Sequence, residues 1–323
     1  MRASEIGKRL GVVVVIALLV GAGLSMPLHG GQLTTSDDSF SVPTHQPDAI
    51  LATEPAETGS IAVDADGESK HVVVDVGHAN DIERASLAPM IEALTSSDHS
   101  VSFYRGERQA TLNDTLRTAD AFVVVSPEEP YTAAQRAGLE AFADAGGRVL
   151  LAGEPPSQGS ALSSLLGMSS MQSSPAPMTG LASSFGFAFG DAYVYNLESY
   201  DVNYRNVFAT PTDTAAIGTE AGQVTVHEAT TVQGGTPLLT TSDSTKLSST
   251  RAADTYPVAA RNDSVVTLGD ASLLDREWVQ RGDNEVFVSA VLEFLVSGDK
   301  DPGAPTSPDS PSSSGPSSPT RTP

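Results

Sequence analysis

From residue 70 the chain alternates between short apolar runs and amphipathic stretches. His71 to Val76 is a continuous apolar run broken only by Asp75, the pattern of a strand buried on both faces. Leu87, Met90, Ile91 and Leu94 follow at the i, i+3, i+4, i+7 spacing of one helix face. Val101 and Phe103 alternate as in a second strand, a short helix separates them from the run Ala121 to Val125, and Thr132 with Gln135 forms a capping box. That box opens a helix whose Leu139, Phe142 and Ala143 turn inward and which Gly146 and Gly147 end, before a fourth strand from Arg148 to Ala152. This succession predicts an α/β fold with a doubly wound, mainly parallel, flavodoxin-like sheet.

The second half reads differently. Residues 155–190 are rich in Ser, Met, Gly and Pro, with one helical turn expected at Ala161 to Leu166. Four β-like runs follow without helices between them, at Tyr193–Tyr195, Val224–His227, Pro237–Thr241 and Tyr256–Arg261. Val265 to Leu268 reads as a return to the central sheet, and Phe287, Ala290, Val291 and Phe294 mark a final helix with Asp283 as its N-cap. The expected organisation is one domain over residues 70–297 with a β-rich extension, and Trp278 and Tyr256 are assigned to packing.

The two ends carry other signals. Leu10 to Leu28 holds no charge, close to the roughly 20 apolar residues that span a bilayer. Arg2, Lys8 and Arg9 precede it, so residues 1–29 read as a transmembrane signal anchor with the rest of the chain outside the cell. A cleaved signal peptide is the alternative, although small-x-small cleavage signals are poor there. Residues 30–69 read as a polar stalk and 298–323 as a disordered tail, since Pro, Ser and Thr fill 17 of the last 23 positions. An outside location makes Asn113 and Asn262, each in an Asn-x-Ser/Thr sequon, candidates for glycosylation.

Charge changes the picture further. The 323 residues include 40 acids against 18 bases, a net charge of -22, and between residues 31 and 298 the acids number 36 and the bases 13. Such a surface excludes a phosphate backbone as partner, because that needs clustered Lys and Arg. With only four lysines it fits an organism living in high salt, where a Debye length of about 3 Å at 1 M would relieve the repulsion. An ordinary acidic secreted protein is the alternative. Cysteine is absent, which removes disulfides, thiolate metal sites and Cys nucleophiles.

Three stretches carry a resemblance. Val123 to Thr132 leading on to Gly146–Gly153 resembles the strand-helix-Gly-Gly-strand unit of class I glutamine amidotransferase-like domains. Gly269 to Leu274, with Asp283 to Phe287, resembles the closing motif of the non-catalytic branch, which includes auxiliary subunits of gliding-type ABC transporters. Asp75 to Asn80, with Tyr195, Asn196 and Asn203 to Phe208, is similar to a membrane-anchored haloarchaeal family. The resemblance implies an amidotransferase-like fold over residues 70–297, no cofactor and a place in a membrane-protein complex. The catalytic branch uses a cysteine, which this chain lacks, and no Gly-x-Ser-x-Gly elbow replaces it.

Candidate site residues follow from the expected sheet, since ligands of open α/β sheets bind beyond the carboxyl ends of the strands. Asp75, His78 and Asn80 follow the first strand, Ser126 and Glu128 the third, Glu154 the fourth, and Asp270 and Ser272 the last. One shared mouth holding them would make a polar-ligand or cation site. The alternative is that Asp75 and Asp270 cap neighbouring loops and helix starts. Six scattered histidines show no metal-ligand spacing. Asn203 and Arg205, with Asn196, Tyr204 and Asn206, form a second polar cluster suited to sugars or peptides, or to a loop that hydrogen-bonds its own backbone. The functional expectation is therefore a non-catalytic, outward-facing binding or assembly domain. The alternative is a hydrolase of carbohydrate or peptide bonds using strand-end carboxylates such as Asp75 and Glu154.

Overall fold

A computed structural model describes residues 59–64, 67–155, 177–214 and 217–305. The expected membrane span at 10–28, the helical turn at 161–166 and most of the Ser/Pro tail lie outside these residues. Among the described residues no helix is long and apolar enough to cross a membrane.

The first half begins with β1 (His71–Asp75), α1 (Ala88–Ser96), β2 (Ser100–Tyr104), α2 (Leu112–Thr118), β3 (Ala121–Val125), α3 (Ala133–Asp144) and β4 (Arg148–Ala152). These four strands lie in the order β2-β1-β3-β4 and pair in parallel. Alternate side chains enter two separate cores, which is why β1, β3 and β4 show no polar face. Val72, Val74, Val123, Val125 and Leu150 meet Met90 and Leu94 of α1 on one face. Val73, Phe122, Val124, Val149 and Leu151 meet Leu116, Leu139 and Phe142 of α2 and α3 on the other. The capping box forms as expected, with Gln135 N donating to Thr132 Oγ1 and Thr132 N donating to Gln135 Oε1.

The second half overturns the expected fold class. It contains α4 (Pro177–Ser184), β5 (Ala188–Tyr195), β6 (Asn206–Pro211), β7 (Val224–His227), β8 (Thr230–Gln233), β9 (Thr236–Thr241), β10 (Lys246–Leu247), β11 (Pro257–Arg261), β12 (Val265–Leu268), a 3-10 turn (Ala271–Leu274) and α5 (Asn284–Val296). Strand β12 pairs in parallel with β4, but from there the sheet continues antiparallel through β11, β9, β6 and β7 to nine strands. A second sheet, β10-β5-β8, is antiparallel throughout. Among the described residues six of the ten strand pairings are antiparallel, so the fold is mixed and sheet-rich rather than doubly wound, parallel and flavodoxin-like. The reason is connectivity. Parallel neighbours need a crossover of a dozen or more residues, and the connections between β5 and β12 contain no helix to provide one.

Both expected boundaries also move. Residues 59–63, placed in the stalk, pack on the body: Ser97 Oγ donates to the Val63 carbonyl, Ala62 N to Ser289 Oγ and Gln280 Nε2 to the Gly59 carbonyl. Residues 298–305, placed in the tail, dock on α2 and α3, with Lys300 Nζ donating to the carbonyls of Arg117 and Ala304 and Asp301 N to the Ala145 carbonyl. The Asp283 carboxylate does not cap α5. Its Oδ2 accepts from Gly222 N and Gln223 N instead, tying the segment before β7 to the start of the helix.

Candidate functional site

The strand ends carry two networks. The first is centred on Asp75, buried at the end of β1. Its Oδ2 accepts from Tyr131 Oη at 2.6 Å, from His78 Nδ1 at 2.9 Å and from Asn80 Nδ2 at 3.4 Å, and its Oδ1 accepts from Gly77 N at 3.0 Å. Asn80 also donates to the Val125 carbonyl, and the His78 carbonyl accepts from Glu128 N and Glu129 N. The loops after β1 and β3 are thereby laced together. The His78 ring stacks on Tyr131 at 3.8 Å and is buried. Burial alone would lower the His78 pKa, but the Asp75 hydrogen bond and charge, with Gln135 and Glu129 behind them, outweigh it and raise it. Burial and then the Asp75 charge push the Tyr131 phenol well above its ordinary value, so it remains a donor. One hydroxyl nearby, Ser126 Oγ, is buried without a hydrogen-bond partner.

The second network joins β4 to β12. Gly269 makes it possible, because a Cβ there would lie 2.1 Å from the Thr230 carbonyl oxygen of the crossing strand β8. Asp270, fully buried, caps the 3-10 turn: Oδ1 accepts from Ser272 N and Ser272 Oγ, and Oδ2 accepts from His227 N. Glu154 Oε1 accepts from Ala271 N at 2.9 Å, while the residue keeps an exposed face. Desolvation first, and then the Asp270 charge, pushes the Glu154 carboxyl up; desolvation also pushes Asp270 up, against the pull of its hydrogen bonds. Beside them His227 stacks on Trp278 at 4.4 Å and hydrogen-bonds Asn206 Oδ1, and burial lowers its pKa.

The candidate residues fall into two separate hydrogen-bonded networks. Strand β3 separates β1 from β4, and the register sets Asp75 level with Leu151, three residues before Glu154, so the Asp75 and Glu154 backbones are at least about 10 Å apart, and Asp270 is one strand further. No hydrogen bond among the described residues joins the two networks, and Asp75 with Glu154 is not a carboxylate pair. Among those residues no group of three or more His, Asp or Glu is placed to hold a metal ion. A groove of about 810 Å3 lies elsewhere, bordered by Ile61, Val63, Ala93, Arg276 and Gln280, and none of the candidate residues lines it.

The Asn203–Arg205 cluster also turns out to brace a loop. Asn203 Oδ1 accepts from Arg205 N, the Arg205 guanidinium pairs with Glu228, and it lies over the rings of Tyr193 and Tyr204. Asn196, buried at the other end of the same loop, receives Glu198 N and Ser199 N on Oδ1 and donates to the hydroxyls of Ser242, Ser244 and Thr245. Asp201 pairs with Arg281 at 3.0 Å. The sequons are built in too. Asn262 Nδ2 donates to the Phe185 carbonyl, and Asn113 is packed against Gly138 of α3, with both residues half-buried.

Tyr131, His227, Glu228 and Trp278 had no motif to announce them. Tyr131 stands immediately before the capping box, so its ring is carried back over the β1 loop, a signal that spacing alone holds.

A family profile described as a domain of unknown function (DUF4350) matches residues 97–292, covering both ends of the second network but not Asp75, His78 or Asn80. Among solved structures the mmIFT52 N-terminal domain is similar, with a TM-score of 0.54 and 13% identity over 71% of this chain and 99% of that one. At that identity the likeness concerns the fold alone, and it sets a mixed sheet, not a flavodoxin-like one, beside a solved fold. No curated protein matches the chain.

Proposed function

We propose that this chain, which belongs to the DUF4350 family, is a membrane-anchored, outward-facing binding or assembly module, akin to non-catalytic amidotransferase-like domains that serve transporters. One observation carries this reading. At the strand ends where a substrate would be sought, the buried carboxylates have all their oxygens engaged: Asp75 by Gly77, His78, Asn80 and Tyr131, and Asp270 by His227 and Ser272. Groups held this way stiffen loops and offer nothing to a reacting bond. The anchor rests on the uncharged stretch 10–28 behind Arg2, Lys8 and Arg9.

External protease applied to intact cells should remove the folded domain, while a high-salt wash should leave it on the membrane. Protection from the protease, or release by the wash, would overturn the placement. The hydrolase alternative is favoured by Glu154 alone, an exposed carboxyl raised toward holding a proton as a general acid does. Turnover of a glycoside or peptide that disappears in Glu154→Gln would establish that reading instead.

A further inference from the structure

Every large hydrophobic side chain exposed among the described residues falls in one loop, between β5 and β6: Leu197 at 60%, Tyr200 at 43%, Val202 at 69% and Tyr204 at 38%. The loop is not loose. Asn196 fastens its start, Arg205 and Glu228 its end, the Asp201–Arg281 pair its middle, and Tyr200 bridges to Val207 of β6. Within it Val202 has φ 56°, the left-handed region that a β-branched residue seldom enters. Packing does not account for valine there, since two-thirds of the residue faces solvent. A strained, exposed, firmly held apolar side chain points to a contact made outside the molecule.

From these observations we infer that the 197–204 loop is a docking element for a protein partner that offers an apolar pocket with a cationic rim. This rests on the binding reading above and names the kind of partner. Two tyrosines with arginine at the margin are residue types enriched at the centre of protein interfaces. Charge decides among occupants. Arg205 and Arg281 are paired with Glu228 and Asp201, and Glu198 is exposed on the loop, so the rim is net negative on a chain carrying -22. A second copy and an anionic lipid headgroup each bring like charge, whereas Lys and Arg around an apolar pocket complement it.

The test places p-benzoylphenylalanine at Tyr200 in the full chain, in its native cells, and maps the photoadduct. The inference expects an adduct on a different protein, within a segment where Lys and Arg outnumber Asp and Glu. It also expects Val202→Gly or Leu197→Ser on the same background to cut the yield at least tenfold without lowering the melting temperature. An adduct to a second copy, to lipid or to an acidic segment, a yield indifferent to both variants, or no adduct would overturn it. External protease on the same cells reads the outward placement separately, so failure of that placement is distinguishable from failure of the docking element.

Discussion

The Asp75 network and the 197–204 loop are opposites in how they use polar and apolar groups. Around Asp75, residues that attract attention as chemistry (an acid, an imidazole, an amide and a phenol) are turned inward and satisfy one another. In the loop, polar residues are again braces, but they hold apolar side chains out in water. Polarity at a strand end is thus a poor guide to function by itself. What separates the two regions is which groups are left without internal partners.

The largest effect should come from removing the hub of the inward network. Asp75→Ala leaves the His78, Asn80 and Tyr131 donors buried without their acceptor, and should cost about 3–5 kcal/mol in denaturant unfolding. A loss under about 1 kcal/mol would show that the network is not a brace. Salt should act on the whole acidic surface. The melting temperature should rise clearly between about 0.1 M and 2 M salt as repulsion is screened, and a flat profile would count against adaptation to high salt.

Two titrations sharpen the contrast between the networks. The folded-state pKa of His78 is raised, so its stabilising contribution is complete below the ordinary value of about 6.5 and fades as pH rises through the raised one. His78→Gln should therefore remove a downward slope of stability above about pH 6.5. The Glu154 carboxyl is also raised, so its contribution fades from the ordinary range near about 4.3 upward. Glu154→Gln should gain on the wild type as pH rises toward 9, by at most about 1 kcal/mol because solvent at its exposed face screens the repulsion. A variant that instead loses stability across that range would refute the raised Glu154 carboxyl. The smallest effect belongs to the outward loop. In Val202→Gly, relief of the left-handed backbone offsets the greater freedom of glycine in the unfolded chain, and stability should stay within about 0.5 kcal/mol of wild type.

Local elements with full periodicity were legible in sequence. The runs at His71–Asp75 and Ala121–Val125, the capping box at Thr132 and the last helix all form where the pattern sets them. What failed was extrapolation from a parallel first half to the whole sheet. Strands β6 and β8 were missed, because short Thr- and Val-containing segments gain their pairing from distant partners such as β9 and β5. Asp75, His78 and Asn80 sit on one loop, but their distance from Glu154 depends on strand order, which no spacing encodes. Tyr200, Val202 and Tyr204 alternate with polar residues as a strand would, yet they lie in a loop between β5 and β6, so periodicity gave no sign that these side chains face solvent.

The docked segment 298–305 fixes how the molecule can be handled. Lys300 and Asp301 seat it beside Arg117 and Ala145, at the end where β3 and β4 begin. The 197–205 loop lies at the other pole, where Arg205 meets Glu228 next to His227 and the carboxyl end of β12. A label or surface attached at residues 300–301 would therefore sit at the pole opposite that loop and leave it facing the bulk solution.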